Sequence, residues 1–168
     1  MTDSAMGDAF GHNVWASLTL FDVCLELSEE QLATSVPGTY GTIFDTMRHV
    51  VGSDASYLFV ASKGDVERID EEAMSLADLR YQMESHGPAW ANVVADADPD
   101  EVLVRHRDDG STTRAPVSIR LAQALHHGTD HRSQICTALT SLGIEPPSID
   151  VWDYGVQVGT VLEDPAPS

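Results

Sequence analysis

Four stretches in which apolar residues return every three or four positions, separated by glycine and proline breaks, restrict this chain to helical architectures. The first runs from about Phe10 to Leu27, where Val14, Leu18, Phe21 and Leu25 form a stripe flanked by Trp15 and Cys24. Ser28 is placed to cap a short acidic segment, Glu29–Ala33, before Pro37-Gly38 breaks the chain. The second predicted helix spans about Thr42 to Ser62 and gathers Ile43, Met47, Val50, Asp54, Tyr57, Leu58 and Ala61 on one side. His49 falls on another side with Thr42, Asp45, Thr46, Gly52, Ser53 and Ser56. Such a small polar stripe either faces water or lines a cavity, and periodicity does not choose between the two.

Gly64 ends that helix and an acidic loop, Asp65 to Glu72, follows. Ser75 caps a third helix, Leu76 to about Ala95, with Leu76, Leu79, Met83 and Trp90 directed inward. Pro88 should kink it, because proline removes one backbone bond and collides with the preceding turn. His86, just before that point, reads as an exposed polar residue. After Asp98-Pro99 the period changes to two: Val102, Val104 and His106 alternate with Leu103, Arg105 and Arg107, Asp109-Gly110 turns, and Thr112 to Ala115 return. This predicts a small β-hairpin. Pro116 then opens a fourth long helix, Val117 to Leu142, with Gly143 suited to its C-terminus and Pro146-Pro147 forbidding continuation. Asp150 to Gly159 can form a short final helix.

The expected architecture is all-α, a four-helix bundle with a small hairpin before the last long helix. The intervening segments are long enough for crossovers, so up-and-down order does not follow. Residues 1–8 are expected to be disordered, residues 9–160 to form one domain, and residues 161–168 a loose tail. At 168 residues and 42% apolar composition the chain can bury a core. No stretch approaches the ~20 apolar residues needed to span a bilayer, and MTDSAMGDAF lacks the basic and apolar regions of a secretory signal. A cytoplasmic location is the default expectation. Twenty-seven acidic residues against nine basic ones give a net charge of −18, which repels phosphate backbones and argues against nucleic-acid binding. Cys24 and Cys136 lie in apolar helical patterns and read as buried free thiols.

The chemistry concentrates in QALHHGTDHRSQI, Gln123 to Ile135. His127 and His131 stand four apart, so a helix projects both from one face and lets them share a metal ion. His126 points about 100° away. Gly128 stands where the HExxH arrangement places its Glu, so that metalloprotease pattern is absent. On spacing alone, a surface or hydrogen-bonded pair is as good a reading as a metal site.

The segments NVWASLTLFDVCLELSEEQL, PGTYGTIFDTMRHVVGSDASYL, HHGTDHRSQI and LGIEPPSIDVWDYG occur in an order that resembles the DinB-like (YfiT-like) metalloenzyme superfamily. The resemblance covers most of residues 13–159. It implies a four-helix bundle, often homodimeric, that holds one divalent metal with three histidines: His49 from the second helix, His127 and His131 from the fourth. It turns His49 inward, which the helical pattern alone did not. His126 matches a position often occupied by asparagine in relatives and is read as structural.

Three neutral imidazoles suit Zn²⁺, Ni²⁺ or Fe²⁺, and three protein ligands leave a position open, as catalytic sites do. Gln123, Asp130 and Gln134 are candidates to accept the second ring N–H of a ligand histidine, with Asp130 equally readable as a solvated residue. Relatives include enzymes that use mycothiol or bacillithiol as S-transferases or an isomerase. The resemblance therefore implies a thiol S-transferase acting on small electrophiles, with a thiol as cosubstrate. Tyr57, Trp152 and Tyr154 are candidate pocket walls, or simply core aromatics. A metal-dependent hydrolase and a non-catalytic, stress-response metal-binding bundle are the alternatives.

Overall fold

The computed structural model describes residues 4–107 and 109–162. Four long helices carry the fold: α1 (Ala5–Cys24), α3 (Ile43–Ala61), α4 (Leu76–Asp96) and α5 (Val117–Ser141). A short α2 (Glu29–Leu32) and a 3₁₀ turn (Glu71–Ala73) lie in the connections, and α6 (Val151–Gln157) closes the described chain. Strands β1 (Val102–His106) and β2 (Thr112–Pro116) form the antiparallel hairpin, with Leu103 opposite Ala115 and Arg105 opposite Thr113.

The helix starts are written locally. Ser28, Thr42 and Ser75 each accept a backbone N–H from the third helical residue, whose side chain answers to the cap's own N–H. At the other end, Gly143 takes φ +74°, a left-handed conformation that costs glycine nothing. Helix α4 continues through Pro88 to Asp96. Helix α1 begins earlier than its apolar pattern suggests: Ser4 caps it and residues 5–8 are helical, so disorder over residues 1–8 does not hold there. Residues 1–3 and the tail from 163 onward lie outside the described residues.

Helix α1 packs chiefly on α4 and α5, and α3 on α5 and α4. Helices consecutive along the chain are thus diagonal in two of the three steps, with α2 and the hairpin making the crossovers. Leu20, Phe21, Leu58, Leu79, Met83, Trp90 and Leu139 fill the centre, each such side chain contributing roughly 1.5–3 kcal/mol on burial. Phe10 and Trp90 stack at 4.4 Å between ring centroids.

The buried stripe of α1 is rotated from the expected one. Phe10, Asn13, Val14, Ser17, Leu20, Phe21 and Cys24 are inside, whereas Leu25 is exposed. The cause is a polar network across the four helices. Arg132 Nη1 donates to Asn13 Oδ1 at 2.6 Å and to Ser17 Oγ at 3.2 Å. Asn13 in turn donates to Asp54 Oδ1 at 3.4 Å. Asp54 Oδ2 accepts from His86 Nδ1 at 2.7 Å and Trp90 Nε1 at 2.9 Å. His86, expected at the surface, is 1% exposed; its hydrogen bond to a buried carboxylate makes the interior tolerable for it. Gly128 leaves the gap this network uses, since a Cβ there would sit 2.6 Å from Asn13 Oδ1 and 2.8 Å from Arg132 Nη1.

Candidate metal centre

Helices α3 and α5 face each other, and their histidines meet between them. His49 comes from the second turn of α3; His127 and His131, one turn apart, come from the middle of α5. One nitrogen from each of the three rings lies within 4.8 Å of the others, so the cluster could hold a metal ion. His49 Nε2 and His127 Nε2 are 3.1 Å apart. All three side chains are half-buried.

Their second contacts aim them. His131 Nδ1–H donates to Gln134 Oε1 at 3.2 Å, which leaves the lone pair of Nε2 for a cation. The same Gln134 oxygen accepts the backbone N–H of Tyr40 at 2.8 Å. Gln134 thereby ties the loop before α3 to a ligand on α5. The Tyr40 ring lies parallel to His49, with centroids 4.0 Å apart and planes at 13°, and stands edge-on to His131 at 5.4 Å. Tyr57 stands edge-on to His127 at 5.5 Å, and Gln123 Nε2 donates to its hydroxyl at 3.3 Å.

The electrostatics favour neutral rings. Burial, then the charges of His131 and His49, push the His127 pKa down from 6.5 to about 4. Burial and His131 lower that of His49, while Glu71 acts in the opposite sense. Neutral imidazoles at close quarters, with one ring N–H already committed to an amide oxygen, are the donor set a borderline divalent cation takes. The residues therefore fit the metal that the histidine pattern implies.

A cavity of about 490 Å³ opens beside His49, lined by Tyr40, Gly41, Asp45, Arg48, Glu71 and Glu72. Within the polar stripe of α3, Thr46 and Gly52 are buried and the other residues half-buried, so it lies partly against the protein and partly open to water. Arg48 pairs with Asp45 at 2.9 Å and Glu72 at 2.8 Å. Glu71 is half-buried, and its carboxylate makes no ion pair or hydrogen bond among the described residues. Its side chain rests on Gly52, one turn from His49, where any Cβ would collide with the carboxylate.

The other expected residues separate. Asp130 and His126 are exposed, and Asp130 acts on His127 only through its charge. The structure does not bring Trp152 or Tyr154 to the histidines. Trp152 is 64% exposed on α6, and Tyr154 packs on Trp15 at 5.7 Å and His12 at 6.0 Å against α1. Sequence reasoning missed Tyr40 and Glu71, which lie in segments without a period. Gly52, three residues after His49, was the available sign of a close approach.

A sequence model of the DinB family matches residues 1–158. No curated protein matches the chain.

Proposed function

The chain belongs to the DinB family, and on that premise we propose that it is a divalent-metal-dependent S-transferase. It joins a low-molecular-weight thiol of the mycothiol or bacillithiol type to a small electrophile. The observation that carries this reading is the convergence of His49, His127 and His131, with no fourth protein ligand in the cluster among the described residues. A bound divalent cation supplies Lewis acidity, which lowers the pKa of a thiol brought to it.

The chain's own cysteines agree with a thiol that comes from outside. Burial pushes the Cys24 thiol up to about 12 and raises that of Cys136 as well, so neither offers a thiolate at neutral pH. The protein's part is to place and shield. Tyr40 covers one face of His49 and Gln134 holds His131, which keeps the ligand rings from turning. Glu71, unpaired on the cavity wall, is positioned to take the S–H proton. Sulfur then bonds to the electrophilic carbon, and the leaving group departs with its bonding pair.

The test is to load the protein with zinc and follow a small electrophile with and without thiol. Thiol-dependent conjugate that disappears in His127→Ala is the expected result. Equal loss of the electrophile when thiol is withheld would mean hydrolysis and would overturn the reading.

A further inference from the structure

Two arginines meet where the hairpin joins the bundle, in a chain with three acidic residues for every basic one. Arg105, on the inward side of β1, donates from Nη2 to Ser56 Oγ of α3 at 3.0 Å. Arg120, in the first turns of α5, donates from Nη2 to the carbonyls of Leu103 at 2.9 Å and Thr113 at 3.4 Å. The Nε atoms of both are buried and donate to nothing among the described residues. Arg48, Lys63 and Arg80 all lie against carboxylates; no described carboxylate comes within ion-pair reach of Arg105 or Arg120. Burial and the neighbouring charge of Arg105 both lower the pKa of Arg120.

Two like charges brought together, half-buried, each with a buried Nε–H that finds no partner among the described residues, destabilise the fold unless an anion answers them. Their position relative to the histidines gives the site a use. Ser56 follows His49 by seven residues on α3, and Arg120 precedes His127 by seven on α5. Seven residues are close to two full turns, so each pair shares a face at a rise of roughly 10 Å. Gln123, three residues after Arg120 and four before His127, lies between the two levels and donates to the Tyr57 hydroxyl.

We propose that Arg105 and Arg120 receive an anionic group, a carboxylate or a phosphate, of the molecule whose reacting atom lies at the three histidines. The choice of that molecule rests on the transferase reading; the anion site itself does not. The substrate class follows from the spacing: an elongated molecule with its anionic end roughly 10 Å from its reacting atom. A guanidinium pair suits such a group because each fork can take two oxygens at once.

The experiment is an NMR titration of the metal-free full chain, following the arginine Nε–H signals, with inorganic phosphate in one arm and malonate in the other. Ionic strength is held constant with chloride. The Arg105 and Arg120 signals should shift together and saturate, and Arg105→Gln, which removes a single hydrogen bond to Ser56, should weaken binding about tenfold. Tighter binding of phosphate assigns a phosphate-bearing ligand, and tighter binding of malonate a carboxylate. Arg105→Lys, which keeps the charge without the fork, should also bind more weakly than the native protein. Absence of a saturating shift with either anion, or undiminished affinity in both variants, would overturn the proposal. Zinc added to the same sample reads the histidine centre separately, so a failure of one site is not mistaken for a failure of the other.

Discussion

His49 Nε2 lies 3.1 Å from His127 Nε2, although 78 residues separate them in sequence. Two Nε2 atoms at that distance can share one proton or turn both lone pairs to one cation, but cannot both be protonated without strong repulsion. The contact holds α3 and α5 in register at the point where the site is built.

Burial, with that repulsion added to it, sets a pH dependence. His127 has a folded pKa of about 4 against an ordinary 6.5, so between these values the unfolded chain binds more protons. Its contribution to stability is therefore complete above about pH 6.5 and is lost as pH falls toward 4. The His127 ring signal should titrate near the lower value in metal-free protein. In denaturation experiments across this window, His127→Gln should flatten the pH slope; an ordinary titration midpoint would contradict the burial and charge effects described.

Gln134 should matter to metal affinity without touching the metal. Gln134→Ala frees His131 Nδ1 and the Tyr40 N–H, and calorimetry should show zinc binding weakened about 10–100-fold. Native affinity in this variant would mean that His131 is oriented by packing alone.

Gly52 and Glu71 form a second pair to test. A Cβ at residue 52 displaces the flexible Glu71 side chain rather than backbone, and alanine gains about 1 kcal/mol of helix propensity over glycine. Gly52→Ala should thus fold well while removing the charge that raises His49. The His49 pKa should fall further in Gly52→Ala and in Glu71→Gln alike. No movement in either variant would show that Glu71 does not act on the site.

The buried network should dominate stability. Asp54→Ala strands His86, Trp90 and Asn13 and leaves Arg132 without its opposing charge, for a loss of about 3–5 kcal/mol in urea denaturation. Gly128→Ala, which crowds Asn13 and Arg132, should cost about 1–3 kcal/mol. Losses below half a kilocalorie, roughly the level of neutral surface changes, would contradict both.

The helices and the hairpin were legible because their signals are local. Ser28, Thr42 and Ser75 cap their own helices, and the change of period at Val102 announces the strands. What escaped was set by partners distant in sequence. Asn13 and Ser17 look like surface residues until Arg132 arrives from α5, and His86 looks exposed until Asp54 meets it. The histidine pair on α5 was visible from spacing, but His49 turned inward only through the family resemblance. Tyr40 and Glu71 reach the site from irregular segments, where no periodicity points anywhere.

The most direct measurement is zinc titration of tag-free protein by calorimetry, with elemental analysis of the product. The expected result is one equivalent per chain, lost in His49→Ala as fully as in His127→Ala, because α3 and α5 must both contribute ligands. Binding that survives His49→Ala unchanged, or no binding in the native chain, would contradict the three-histidine centre.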